Sequence, residues 1–261
     1  MKRALVTGAS SGIGAAAARA LAAEGFAVAL LARRAAPLEE VRASLAGSGH
    51  RVLTCDLTDA AAIRAAAEEL RAEWDGLELV VANAGVGYRA LLSELDDELV
   101  ERVFATNVLA PMRLARELLP ALQAGEAPVW INVSSVVGRR GVPGQAAYSA
   151  SKAALSSLSE AMRLEWAPHG IAVCTLNPAL TATGFFEAQP NPGALPDPDL
   201  ASAAGPDDVA RELVALAKAP RPERSLRWKW WLLGALTPIF PRLSDRLLAK
   251  RLGGGWQAPK R

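Results

Sequence analysis

Ala4-Leu5-Val6-Thr7-Gly8-Ala9-Ser10-Ser11-Gly12-Ile13-Gly14 joins a short apolar run to a glycine-rich loop, and the alanine-rich stretch 15–23 follows at once. Strand, glycine turn and helix in that order form the setting in which such a loop holds the phosphates of a dinucleotide. In that setting Gly8 permits the tight turn, Gly12 lets the backbone approach the phosphates, and Gly14 lets the helix pack close to the strand. The first amides of the helix have no intrahelical acceptors and face negative charge favourably. A glycine turn that merely reverses the chain is the alternative, and the flanking strand and helix weigh against it.

The same alternation continues downstream. Apolar runs at 3–7, 27–32, 51–55, 79–82, 129–133 and 171–176 read as strands, and the stretches 12–24, 37–46, 59–74, 95–108, 111–124, 146–167 and 206–219 read as helices. This order predicts an α/β fold, a single doubly wound parallel sheet with helices on both faces. Its ligand belongs beyond the carboxyl ends of the strands, where the strand order switches. Asp59 is placed to cap one helix, Pro206 with Asp207 and Asp208 opens another, and Pro168 with Gly170 closes the long one. At 261 residues, one sizeable core is expected.

Tyr148 precedes Lys152 by four residues on the predicted helix 146–167, so the two side chains share a face. An ammonium beside a phenol favours the phenolate, which would let a tyrosine serve as acid or base near neutrality. Ser135, thirteen residues upstream of Tyr148, offers a hydroxyl to the oxygen that gains or loses the proton, and Asn107 lies further upstream.

Thr7 to Gly14, Asp56, Asn83-Ala84-Gly85, Asn107, Ser134-Ser135, Tyr148 with Ala150, Ser151 and Lys152, and Asn177-Pro178 with Thr183 together resemble the short-chain dehydrogenase/reductase family, in its order and at its spacings. The resemblance covers about residues 1–220 and implies a Rossmann-type domain over that range. It implies Asn107, Ser135, Tyr148 and Lys152 as the catalytic set. Tyr148 would exchange the proton on a carbonyl or alcohol oxygen that Ser135 orients. Lys152 would hold the cofactor ribose and lower the Tyr148 pKa, and Asn107 would keep a water between Lys152 and solvent. Cofactor contacts are implied at Gly8, Ser10, Ser11, Gly12, Ile13 and Gly14, at Asp56 and Leu57, and at Asn83, Ala84 and Gly85. Further contacts fall on Tyr148, Lys152, Pro178, Thr181 and Thr183. Ala179 and Thr181 replace the family's usual glycine and aliphatic residue. Asn83 has a second reading as a purely structural turn residue.

The nicotinamide cofactor is expected to be NADP(H). No acidic residue follows the second strand; Ala32 leads into Arg33 and Arg34, whose guanidinium groups suit a 2′-phosphate. The expected activity is NADP(H)-dependent reduction of a ketone or aldehyde, reversibly the oxidation of an alcohol. Val86, Gly87, Tyr88, Val136, Val137, Val142, Phe185 and Phe186 make an apolar substrate wall, which suits a lipid-like substrate. Arg139 and Arg140 are read as solvated, or as facing an anionic substrate. The proline-rich segment 184–205 is read as a lid, with a mobile surface loop as the alternative.

Residues 221–261 hold ten lysines and arginines against two acids, a net charge of +8, whereas the preceding 220 residues carry −6. Residues 224–229 are a candidate seventh strand. Beyond it, tryptophans, cations and short apolar runs suggest a helical extension. It would either touch a membrane surface through 226–251 or pack as two short helices on the core or a partner subunit. Met1-Lys2-Arg3 leads straight into a strand rather than a signal segment, and no apolar run is long enough to span a bilayer. Cys55 and Cys174 read as buried thiols, so no metal site is expected. His50 and His169 have no partners that suggest catalysis. A cytoplasmic homodimer or homotetramer is expected, with membrane association through the extension as a second expectation and with no nucleic-acid partner. Two other readings stand beside the enzyme: a catalytically silent cofactor-binding regulator, and a membrane-surface protein acting through the extension.

Overall fold

The computed structural model describes residues 1–252. Seven parallel strands form one sheet in the order β3-β2-β1-β4-β5-β6-β7. They are β1 (Arg3–Thr7), β2 (Ala27–Ala32), β3 (Arg51–Thr54), β4 (Leu79–Ala82), β5 (Val129–Val133), β6 (Ala172–Asn177) and β7 (Glu223–Ser225). The order reverses between β1 and β4, so a crevice opens there at the carboxyl ends of the strands.

Alternation along each strand sorts side chains into two layers. Ala4 and Val6 of β1 face α1 (Gly12–Ala23), α2 (Ala35–Ala43) and α8 (Pro206–Lys218), while Leu5 faces the opposite layer. On the first side Ala15, Ala16, Ala17 and Ala18 leave room for α1 to lie close to the sheet and to α8. On the other side Trp130 of β5 packs with Trp166, their rings edge to face at 5.6 Å. That layer is built from α3 (Ala60–Glu73), α5 (Ala110–Ala124) and α6 (Ala146–Trp166), and α4 (Asp97–Phe104) packs beside α6. Asp59 caps α3 by accepting from the Ala61 and Ala62 amides. Pro206 opens α8, and Gly170 ends the α6 region in the left-handed conformation, as the sequence suggested.

Two elements differ from expectation. The helix expected over 95–108 is two pieces, α4 and a π-helical turn at Ala105–Leu109 that runs into α5. The seventh strand is shorter than 224–229, because Ser225 pairs with Asn177, the last residue of β6, and no partner remains beyond it. The chain turns instead into α9 (Trp228–Leu236) and α10 (Pro241–Leu252). Between β6 and α8 lies segment 184–205, which is irregular apart from the short α7 (Phe185–Ala188).

The arginines after β5 explain how the extension is held. Arg139 pairs with Glu223, and Arg140 pairs with Asp245 of α10. Arg139 and Arg140 are therefore half-buried and turned to these carboxylates rather than to a substrate. They consume both acids of the extension, and Gly234 of α9 packs against the Arg139 side chain.

Candidate active site

The glycine loop is built against the end of β4. Thr7 Oγ1 accepts from the Asn83 and Ala84 amides at 3.0 and 2.9 Å, and Asn83 Nδ2 donates to Thr7 O at 2.9 Å. These bonds staple β1 to β4 where the strand order reverses, so the Asn83 side chain serves the framework. A Cβ at Gly14 would strike the Gly8 carbonyl and come within 2.7 Å of Asn83 Nδ2. Gly12 has φ 55° and faces Thr183, where a Cβ would lie 3.4 Å away. Gly14 thus lies beneath the loop, while Gly8, Ser10, Ser11, Gly12 and Ile13 line a cleft of about 1940 Å³. Ser11 holds the N-cap position of α1 without bonding an α1 amide, so its hydroxyl is uncommitted there. The first α1 amides are without intrahelical acceptors, as at any helix start. These features fit a phosphate-bearing ligand.

Further along the cleft, Arg33 and Arg34 stand exposed between β2 and α2. Asp56 accepts from the Thr58 amide and hydroxyl at 2.9 and 2.8 Å. Chiefly that amide bond, with help from Arg33 and Arg102, lowers its pKa. Leu57, Ala84 and Gly85 complete this wall. The cleft volume exceeds the roughly 300–1,000 Å³ of a single small-molecule pocket, so a cofactor and a second ligand fit side by side.

Tyr148, Ser135 and Lys152 come together in the wall beyond Gly85. Tyr148 is half-buried, and close packing pushes its phenol up to about 12; the Ser135 hydroxyl bond opposes that rise. Lys152 is buried, which pushes its ammonium down to about 8. Its Nζ donates to Val133 O at 2.8 Å and sits 5.9 Å from the Tyr148 ring centroid. Low local polarity disfavours the charged form of each group, so the phenol pKa lies above its ordinary value rather than below it. A neutral phenol is a proton donor. Ser134 lies beneath, donating to the Lys152 carbonyl at 2.9 Å, and so fixes α6 to β5.

Asn107 does not reach the cleft. It is fully buried in the π-helical turn, where its amide accepts from Val86 N at 2.9 Å and donates to Val86 O and Ser151 Oγ at 3.0 Å. Ser151 in turn donates to Tyr148 O at 2.8 Å. Asn107 thus ties the loop after β4 to the helix that carries Tyr148. Gly85 lies between Asn107 Oδ1 and Lys152 Nζ, each 3.3 Å from where its Cβ would be.

The residues read as a substrate wall, Val86 to Tyr88, Val136, Val137, Val142, Phe185 and Phe186, all line the cleft. Phe185 rests on Tyr148, ring centroids 5.6 Å apart. Pro178, Thr181 and Thr183 line it as well, although Thr181 turns its hydroxyl to Ala179 O at 3.0 Å. The ends of segment 184–205 are pinned by Ala182 N donating to Ala204 O, and Ala204 N to Leu180 O, both at 2.9 Å. Arg89 holds the middle: its guanidinium reaches Asp197 and the carbonyls of Leu195 and Pro196. Sequence reasoning missed Arg89 and assigned no role to Thr7 Oγ1 or Ser151. A charge directly following the apolar Val86-Gly87-Tyr88 was the only signal for Arg89.

A Rossmann-type parallel sheet with a glycine loop at its switch point, and a serine, tyrosine and lysine facing that loop, defines a dehydrogenase-like oxidoreductase. Residues 2–192 match the family model described as short chain dehydrogenase, and the chain belongs to that family. It is 35% identical over 256 residues, 96% of this chain and 84% of the relative, to the fatty acyl-CoA reductase Rv0547c of Mycobacterium tuberculosis. At that coverage the match takes in most of the C-terminal extension. It also matches 18% of the much longer glycine betaine reductase ATRR of Emericella nidulans, at 35% identity over 84% of this chain. Among solved structures, an alcohol dehydrogenase from Thermococcus sibiricus complexed with 5-hydroxy-NADP superposes with a TM-score of 0.77 at 29% identity, over 87% of this chain and 96% of its own. A 3-ketoacyl-(acyl-carrier-protein) reductase from Brucella melitensis complexed with NADH gives 0.77 at 26% identity, over 86% and 96%. The chain is an oxidoreductase of this family.

Proposed function

We propose that the protein reduces a ketone or aldehyde with NADPH, reversibly oxidising the alcohol, and that the substrate is apolar or lipid-like. The observation that carries this reading is the half-buried Tyr148 phenol, hydrogen-bonded to Ser135 and beside Lys152, in the same cleft as the glycine loop. When bound, the reduced nicotinamide supplies the hydride. Ser135 orients the carbonyl oxygen, and Tyr148 donates its proton to that oxygen. The phenolate left behind is stabilised by Lys152 in its charged form. Asn107 keeps the Tyr148 helix and the Gly85 loop in register, with an acceptor lone pair left for a water near Lys152.

Arg33, with Arg34, supports NADP(H) over NAD(H), because both follow β2 and line the cleft, no carboxylate stands at the end of that strand, and a guanidinium would suit a 2′-phosphate. The lipid-like substrate is supported by the aromatic and aliphatic wall under segment 184–205, read here as the lid, and by the likeness to a fatty acyl-CoA reductase. A homodimer or homotetramer belongs to the same reading, with exposed Leu109, Met112 and Leu164 offering apolar surface away from the cleft. A peripheral membrane contact through 226–251 stands beside it and does not depend on the reaction.

Tyr148→Phe tests the proposal. NADPH oxidation with a panel of long-chain aldehydes, 3-oxoacyl thioesters and steroid-like ketones should fall about 10²–10⁴-fold, while NADPH binding stays within about twofold. Equal turnover by the variant would remove Tyr148 from the chemistry. Binding of NADPH without turnover of any carbonyl by the wild type would favour the silent regulator.

A further inference from the structure

We propose that the outward face of α9 and α10 docks on an anionic lipid bilayer and sets the cleft mouth against it, so that an amphiphilic carbonyl substrate enters from the lipid. The loading step rests on the reductase reading above; the docking does not.

Trp228, Trp231, Ile239, Phe240, Leu243 and Leu247 are exposed, Trp228 and Ile239 at 66% each. On α10 the exposed pair Leu243 and Leu247 runs beside Arg246 and Lys250, while Ser244 and Leu248 point inward and are buried. This is a helix with one face already satisfied by the core and a second, apolar and basic, left over. Isolated exposed leucines need no explanation, but large apolar side chains gathered on two adjacent helices and the turn between them do.

Charge decides what covers them. Lys229, Arg242, Arg246 and Lys250 have no ion-pair partner among the described residues. The two acids of the extension, Glu223 and Asp245, are turned to Arg139 and Arg140. A two-fold contact between copies of this face would set the cationic patch against itself. An anionic bilayer accepts the same cations and the tryptophans and leucines between them. Residues 1–220, with net charge −6, are repelled from such a surface, which leaves the extension as the approaching side. No described helix is long and apolar enough to cross a membrane, so the contact is peripheral. Finally, Trp228, Lys229, Trp230, Arg251 and Leu252 line the same cleft as Tyr148. The docked face and the cleft entrance are therefore built by the same two helices.

The test uses full-length protein, vesicles of phosphatidylcholine alone or mixed with phosphatidylglycerol, and two triple variants away from the cleft: Phe240→Ser/Leu243→Ser/Leu247→Ser and Arg242→Gln/Arg246→Gln/Lys250→Gln. Wild type should float with the mixed vesicles, about tenfold less with phosphatidylcholine alone and likewise in high salt. Each variant should lose flotation but keep its melting temperature and its reduction of a short, water-soluble aldehyde. Reduction of a long-chain aldehyde held in mixed vesicles should fall at least about tenfold in the variants. Docking is overturned if wild type does not float, if the variants float equally, or if the apolar triple variant instead breaks up a homo-oligomer. Equal rates of the variants on the vesicle-held aldehyde would overturn entry from the lipid. Flotation without reduction of any carbonyl would sink the reductase reading and leave the docking standing.

Discussion

Arg89 Nη1 donates to Asp197 at 2.6 Å, joining the loop after β4 to a segment 108 residues away across the top of the cleft. The pair is lopsided. The Arg89 side chain is 6% exposed and that of Asp197 82%. Asp197→Ala should therefore cost less than about 1 kcal/mol, as solvent screens the lost carboxylate. Arg89→Ala also abandons the carbonyls of Leu195 and Pro196 and should cost about 2–3 kcal/mol. Limited proteolysis between residues 190 and 200 checks the consequence: Arg89→Ala should be cleaved faster than wild type, and Asp197→Ala at nearly the wild-type rate.

Lys152 makes stability depend on pH in a defined window. Its pKa is about 8 when folded against 10.5 ordinarily, so the unfolded chain holds the extra proton between those values. Stability should rise with pH through that interval. Tyr148 acts oppositely, since its phenol at about 12 against 10.0 makes stability fall from about 10 upward. Lys152→Met should be more stable than wild type by on the order of 2 kcal/mol at pH 7, and the advantage should shrink toward pH 10. Denaturant titrations at the two pH values measure this. A constant difference would mean Lys152 is not held partly desolvated.

Turnover should respond to the same group with the other sign. Below about pH 8 Lys152 is charged and able to stabilise the Tyr148 phenolate, so reduction should slow as pH rises through that value. A pH profile of kcat flat from 7 to about 9 would disconnect Lys152 from the proton transfer.

Arg33→Ala should weaken NADPH binding roughly 10- to 100-fold, the worth of one charge-assisted phosphate contact, and change NADH binding by less than about threefold. Calorimetric titration with both cofactors separates the two. Parallel losses would remove the phosphate role from Arg33.

Glycines with different surroundings should tolerate alanine differently. At Gly14 the new methyl meets the Gly8 carbonyl, which belongs to backbone, and destabilisation of about 3 kcal/mol is expected. At Gly141 nothing lies within 4 Å, so alanine there should be within about 0.5 kcal/mol of neutral.

Most of the sheet was legible because its determinants are local. Four strands match residue for residue, as apolar runs bounded by turn residues fix where pairing starts and stops. The glycine loop and the Tyr148–Lys152 pair were likewise written in fixed short spacings. What escaped depends on distant partners. Nothing near Arg139 or Arg140 announces Glu223 or Asp245, and nothing near Arg89 announces Asp197. The π-helical turn at Asn107 was hidden because it interrupts a pattern that a helix of uniform pitch also satisfies. The raised Tyr148 pKa escaped because spacing reveals a neighbouring cation but not how little water surrounds both groups.

The Arg140–Asp245 pair has a practical bearing on how the chain is handled. Arg140 Nε already lacks a partner. Cutting the protein after β7 to obtain a smaller, better-behaved fragment would strand the rest of that guanidinium beside the turn that follows Ser135. A shortened chain that loses activity would then report a disturbed serine as readily as a missing appendage, and only substitutions on the outer side of α10 keep the two apart.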